Sequence, residues 1–353
     1  MLTKYRLNLI VLTLLAVFCV LPCQAGQEVS GTVTFSLDLS GHGSSKEARL
    51  WMPYPASDRY QKIENLRFSG TQSYLGIHTD SKYQRLIIFA KWAKGVKERR
   101  LTVSFHVKRL ERLDKDLPEK EPCWDRSLFQ DYLRLNPASL KAEKRLKKLA
   151  EKIVSGRTGI QEKAMATYDW VIRNMQRKPE TCYCGDGDVS ALLSKLRGNC
   201  VDIHSVFVSL LRAVGVPARE VFGIRLSKGR GTGDITKSQH CWAEYYLPGY
   251  GWVVMDPADV LKMTLVEGLE PDSDKARSYF RYYMGGVDAY RLRFGIGRDI
   301  VLNPPSSSGP VNYLMYPYAE VGGRLLDFKN PKGFSYRITF APDNPRNHKG
   351  QKR

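Results

Sequence analysis

Gly198-Asn199-Cys200-Val201-Asp202-Ile203-His204 begins the stretch that decides how this chain is read. Asn199 is a good helix N-cap, since its side chain can accept from first-turn N–H groups. Behind it Ile203, Val206, Phe207, Leu210, Leu211 and Val214 recur at helical spacing, so one face of the helix belongs in a core. Gly215 ends the helix and Pro217 prevents its resumption. Cys200 therefore sits in the first turn of a buried helix. The partial positive charge at a helix N-terminus favours a thiolate there. Taken alone, the same residue could be a small structural thiol at the start of a core helix, so its role depends on what the rest of the chain brings to it.

A cysteine nucleophile needs a base for its proton, and the base needs an orienting partner. Downstream, two strand-like runs supply both. His240 lies in Gln239-His240-Cys241-Trp242-Ala243-Glu244-Tyr245, and Asp256 in Gly251-Trp252-Val253-Val254-Met255-Asp256-Pro257. Pro248-Gly249-Tyr250-Gly251 between them signals a hairpin. His240, Trp242, Glu244 and Tyr246 share one face of the first strand. A strict four-residue loop would turn Asp256 to the other face. A loop of three or five residues, or one bulge, puts Asp256 beside Trp242 on the His240 face, and that register is expected. His204, one turn after Cys200, is an alternative base. Asp259 is the fallback for Asp256, and Asp202 suits the first turn as a dipole partner. No spacing among Cys200, His204, His240 and Asp256 is a recognised zinc pattern, so neither a metal nor a cofactor is expected.

These residues also carry a resemblance. Gly198-Asn-Cys200-Val-Asp, Leu210-Leu-Arg-Ala-Val-Gly-Val-Pro-Ala-Arg219, His240-Cys-Trp-Ala-Glu and Gly251-Trp-Val-Val-Met-Asp256-Pro stand in the order of the transglutaminase-like superfamily of exported bacterial proteins. The sequence resembles that family over roughly residues 180–260. The resemblance implies a papain-like α+β core with Cys200 as nucleophile, His240 as base and Asp256 as its orienter. It implies acyl transfer on an amide or peptide bond through a thioester. Arg219 matches its block as either an ion-pair residue or a site residue.

Outward from this core, residues 26–112 alternate apolar and polar, as in Val33, Phe35, Leu37 and Leu39 or Leu101, Val103, Phe105 and Val107. They read as an antiparallel β-sandwich domain of six to eight short strands, with His78 and His106 as ordinary strand or surface residues. Residues 113–126 read as a linker. Residues 127–265 form the transglutaminase-like catalytic domain, with helical stripes through Leu140–Ile153 and Ile160–Met175. Residues 266–353 are expected to pack on this core as a C-terminal extension. The fold class is thus α+β, a papain-like core preceded by a sandwich.

Residues 1–25 read as a signal peptide: Lys4 and Arg6, an apolar run from Leu7 to Leu21, and small residues before a cut after Ala25. Export, to the periplasm or beyond the cell, is the expectation, with no transmembrane segment in the mature chain. Five cysteines follow in the mature chain. With Cys200 free, Cys123, Cys182, Cys184 and Cys241 are candidates for pairing in an oxidising compartment. The formal charge is +19 and drops by two with the loss of Lys4 and Arg6. In an exported protein such charge suits a peptide or protein substrate, or an anionic cell-envelope polymer, and not nucleic acid. Hydrolysis of the protease or amidase type is the leading expectation. Protein cross-linking and a non-catalytic envelope scaffold are the alternatives.

Overall fold

A computed structural model describes residues 26–178, 183–328 and 333–343. The expected signal peptide, Cys182 and the last ten residues lie outside the described residues. The class is the α+β class expected, with a strand-rich stretch, a helical stretch and a further four-stranded antiparallel sheet following one another along the chain.

Six strands come first: β1 (Glu28–Asp38), β2 (Ala48–Pro53), β3 (Gln61–Gly70), β4 (Tyr74–Thr79), β5 (Leu86–Trp92) and β6 (Arg100–Leu110). The period-two pattern is borne out residue by residue. Along β1, Val33, Phe35 and Leu37 are buried while Thr32, Ser36 and Asp38 are exposed. Strands β1, β6 and β3 belong to one sheet, and β2, β5 and β4 to the other. Val33, Phe35, Val103 and Phe105 from the first meet Leu50, Ile88 and Trp92 from the second in a shared core.

The helical layer follows. It comprises α1 (Glu143–Ile153), α2 (Ile160–Asn174), α3 (Val189–Lys195) and α4 (Cys200–Ala213). Helix α4 is the buried axis of this half. Ile203, Val206, Phe207, Leu210 and Leu211 are fully covered by α1, α2 and a four-stranded sheet. Each such side chain is worth roughly 1.5–3 kcal/mol in burial, which fixes the position of the helix start. The sheet contains β7 (Ala218–Arg225), β8 (Gln239–Leu247), β9 (Gly251–Met255) and β10 (Arg291–Ile296), in the order β9-β8-β7-β10. Between β9 and β10 run α5 (Pro257–Val266) and α6 (Asp274–Tyr283).

The C-terminal stretch enters the sandwich. Strand β11 (Tyr318–Val321) pairs with β2, and β12 (Ser335–Pro342) pairs with β1 from Gly31↔Pro342 to Asp38↔Ser335. Ile338, Phe340 and Ala319 lie in the sandwich core. Each sandwich sheet thus takes strands from both ends of the chain, beyond the 26–112 stretch from which the sandwich was read.

The hairpin register agrees with the expectation. Leu247 pairs with Gly251 across a three-residue loop, and Ala243 with Met255. Gly249 and Gly251 take positive φ, +82° and +115°, as a tight turn here requires. The next position after Met255 is Asp256, at the end of the strand beside Trp242.

Candidate active site

The start of α4 is held by a local network. Asp202, in the first turn, accepts from the Asn199 N–H (2.9 Å) and the Gly187 N–H (2.9 Å). Its side chain packs so tightly on Gly198 and Gly185 that a Cβ at either would collide with it. The Asn199 amide nitrogen donates to the Tyr183 carbonyl at 2.8 Å, and the Val201 N–H to Cys184 O at 2.9 Å. The loop before α3 is thereby stitched to the helix start. Among the described residues the Cys200 N–H has no hydrogen-bond partner.

The side chain of Cys200 is buried, with Cys184, Cys241 and His240 as its electrostatic neighbours. The two neighbouring thiols, followed by His240, hold Cys200 well below the ordinary thiol range, against the opposing effect of burial. Cys184 and Cys241 are pushed up correspondingly. Of the three thiols Cys200 is the one favoured as a thiolate; Cys184 donates to the Gln239 carbonyl at 3.3 Å, and Cys241 meets His204 Nδ1 at 3.2 Å.

His240 is buried at the start of β8. Its Nε2 lies 3.1 Å from Asp259 Oδ1 and 3.6 Å from Asp256 Oδ2. Asp259 is therefore the nearer acid, although its contact with the ring is not aligned as a hydrogen bond. Burial and the Arg291 charge press the imidazolium down. Asp259 and Asp256 outweigh them, and His240 is raised to about 9. The two shifts run in the directions that favour a thiolate beside an imidazolium.

Both carboxylates come from one helix start. Asp256 caps α5 and accepts from the Asp259 N–H at 2.8 Å, with Pro257 at the first helical position. N-cap and third position lie one turn apart, so their side chains converge. Arg291, fully buried on β10, reaches both carboxylates, and Arg225 on β7 joins Asp259 and Asp288. These charges hold Asp256 and Asp259 ionised despite burial. His240, Asp256 and Asp259 present ligand atoms within 4.8 Å of one another. A divalent cation there would face the Arg291 guanidinium, which already pairs with both acids.

His204, the alternative base, lies behind this group. Its Nε2 meets Asp256 Oδ1 at 3.1 Å and its Nδ1 meets Cys241 Sγ at 3.2 Å. It supports the second face of Asp256. Cys241, unassigned by sequence, thus joins Cys200 to His204. The expected disulfides are not formed among the described cysteines: Cys123 is exposed and unpaired, while Cys184 and Cys241 are free thiols beside Cys200. Arg219 lies farther along the sheet, bonded to Glu244 at 2.7 Å and stacked on Trp252 at 3.8 Å. With Arg112 it brings the buried Glu244 down to about 2 against the effect of burial. Its place is in an ion-pair network.

Sequence reasoning did not find Arg291, Arg225 or Cys184. The strand pattern Arg291-Leu292-Arg293-Phe294 reads as ordinary alternation, and nothing in it marks which arginine turns inward. The nearness of Asp259 had a signal in Asp256-Pro-Ala-Asp259, a helix start with acids at the cap and third position. Cys200 and His240 line a cavity of about 370 Å3 whose lining also includes Arg177, Lys237 and Lys262.

A family model described as the transglutaminase-like superfamily matches residues 147–257. An uncharacterized protein of Haemophilus influenzae is 35% identical over 319 residues, covering 83% of this chain and 86% of that one. The uncharacterized protein YebA of Bacillus subtilis is 29% identical over 142 residues, covering 36% of this chain and 19% of its own length. Among solved structures, a candidate cysteine protease from Cytophaga hutchinsonii aligns over 89% of this chain and 98% of its own. Its TM-score is 0.52 at 14% identity, a likeness of fold.

Proposed function

The chain belongs to the transglutaminase-like superfamily, and from that premise we propose that it is an exported cysteine hydrolase of the protease or amidase type. Cys200 is the nucleophile, His240 the general base and acid, and Asp256 the orienter, with Asp259 sharing that role. The observation that carries this reading is the placement of Cys200 and His240 in the lining of one cavity, with His240 Nε2 3.1 Å from Asp259 and 3.6 Å from Asp256; the downward shift of the thiol and the upward shift of the imidazole agree with it. The Cys200 thiolate attacks the amide carbon and forms a C–S bond. The carbonyl oxygen takes negative charge within reach of the Cys200 N–H. His240 gives its proton to the leaving amine as the C–N bond breaks. Water, deprotonated by His240, then hydrolyses the thioester and releases the acid and the thiolate.

Hydrolysis is favoured over cross-linking by the charge of the cavity lining. Arg177, Lys237 and Lys262 would repel the protonated lysine that a cross-linking reaction must admit. Cross-linking, and a non-catalytic scaffold, remain the competing outcomes of one experiment. The purified protein is given glutamine-containing peptides with and without a lysine analogue. New termini or ammonia without amine incorporation support the hydrolase. Incorporation makes it a transferase. Neither product, with Cys200 inert to alkylation, leaves the scaffold. Export is read from residues 1–25, and cell fractionation tests it: the chain belongs outside the cytoplasm, shortened after Ala25. Among the described residues no helix is long and apolar enough to cross a membrane.

A further inference from the structure

Among the described residues the cavity that holds Cys200 and His240 has no carboxylate in its lining, yet four cationic side chains reach it: Arg177, Arg225, Lys237 and Lys262. Arg225 is committed, paired with Asp259 and Asp288. The other three have no carboxylate partner among the described residues. Arg177 is half-buried and its Nη1 is shielded from solvent without a hydrogen-bond acceptor. An unsatisfied guanidinium nitrogen costs free energy, so its retention at a cavity wall asks for an occupant. Lys262 is half-buried too. Its burial, together with the charges of Arg225, Arg177 and Arg291, lowers its affinity for a proton against the opposing pull of Asp259. These cations repel one another, and an anion seated between them would relieve that repulsion.

The thiolate of Cys200 does not fill that role. Its own stabilising contacts are Cys184, Cys241 and His240. Nor does solubility explain the cluster, because two of its three members are withdrawn from water. A second cleft of about 810 Å3 continues from the first, sharing Tyr183, Lys237, Ser238 and Gln239 with it. Its walls include Tyr316, Phe334 and Tyr336. An extended chain can therefore lie along an apolar cleft with its reacting end among the cations.

We propose that Arg177, Lys237 and Lys262 form a carboxylate-binding subsite beside Cys200, and that the substrate is an acidic peptide with its carboxylate next to the bond cleaved. This rests on the hydrolase reading above and adds the substrate class to it. The carboxylate is either an Asp/Glu-type side chain or a free C-terminus, which share one chemistry.

Two alkylating reagents of nearly equal size, iodoacetate and iodoacetamide, test the subsite without a known substrate. The ratio of their rates at Cys200 is read by peptide mapping and compared with the ratio at glutathione. The proposal expects the protein's ratio to exceed that of glutathione by roughly tenfold, the low end of what a like-charged cleft produces. The ratio should fall toward the glutathione value in Arg177→Gln/Lys237→Gln/Lys262→Gln. Should that triple variant fail to fold, Lys237→Gln alone, at an exposed position, should lower the ratio partway. Rising salt should do the same in the unmodified protein. A ratio equal to that of glutathione, or one indifferent to the substitutions and to salt, overturns the subsite. Inertness of Cys200 to both reagents overturns the hydrolase reading instead. Peptides differing only as Glu against Gln, or as free against amidated C-terminus, then distinguish the two sources. A higher kcat/KM for one charged member, lost in the variants through KM, supports the subsite and names the source. Equal turnover of all four overturns the substrate class.

Discussion

His240 stands between two acids and one guanidinium, and its behaviour with pH follows from their balance. A histidine raised to about 9 in the folded protein, against an ordinary 6.5, binds its proton more tightly folded than unfolded. Its contribution to stability is therefore complete below about pH 6.5. It is lost as pH climbs through about 9. The same titration sets the alkaline limb of the proposed reaction, because His240 must carry the proton given to the leaving amine. Asp259→Asn removes the acid nearest the ring and should move that limb downward in a pH–rate profile. It should also cost about 3–5 kcal/mol of folding stability, the usual range for removing one partner of a buried ion pair. Asp256→Asn should lose comparable stability, since its carboxylate serves His204, His240 and Arg291 together. A limb that stays near pH 9 in Asp259→Asn would show that Asp256 alone governs the ring. At this scale Cys200 and His240 were legible because a cap, a helical stripe and a strand pattern mark their positions locally. Arg291 was not, because an inward arginine on a strand differs from an outward one only in what the rest of the fold places opposite it.

The hairpin and the start of α4 are the two elements that bring the proposed nucleophile and base together. The hairpin could be read in advance because strand alternation admits only one parity of loop if Asp256 is to face His240, and the three-residue turn supplies it. What alternation could not give was the helix beginning at Pro257, which turns Asp259 toward the same ring. The start of α4 depends on close approach at Gly198. An added Cβ there would strike the Asp202 side chain, which bonds to both Asn199 and Gly187. Gly198→Ala should therefore lose the capping arrangement, destabilising the protein by roughly 0.5–2 kcal/mol. Thermal unfolding measures the loss, and slower alkylation of Cys200 should accompany it if the displaced first turn carries the thiolate with it. Gly251→Ala meets open space but must hold φ near +115°. It should cost roughly 1–2 kcal/mol through backbone strain alone, with the loss again read from thermal unfolding.

The molecule as a whole is closed by its C-terminal strands. Each sandwich strand announces itself by alternation, but pairing partners do not, since a strand of period two fits any edge of matching face. The pairing of β1 with residues 335–342 joins segments about three hundred residues apart, a contact that no local pattern encodes. It follows that residues 26–112 expressed alone should fail to fold. The fragment lacks Ile338 and Phe340 from its core, together with Phe294 from β10, and leaves two sheet edges open. Circular dichroism and proteolysis of that fragment check the point, and a stable, protease-resistant fragment would contradict it. The same closure continues into the proposed catalytic half. Ile224 of β7 and Leu292 of β10 extend the sandwich core, while Arg225 and Arg291 from the same strands serve Asp259. The strands that carry the charges behind His240 are thus fixed by the sandwich packing.

The pairing of Cys200 with His240 is tested most directly by the pH dependence of Cys200 alkylation in the intact, unmodified protein. Iodoacetamide is reacted over pH 4–10 and each cysteine is followed separately by peptide mapping. The account predicts that Cys200 reacts at a nearly constant rate from alkaline pH down past neutrality, as a thiolate held by His240 must. Glutathione, an unassisted thiol, should instead slow below the ordinary thiol pKa of about 8.5, and Cys184 and Cys241 should stay protected. His240→Ala should return Cys200 toward the glutathione profile. A Cys200 rate that tracks glutathione across the range, or that is indifferent to the loss of His240, would contradict the account.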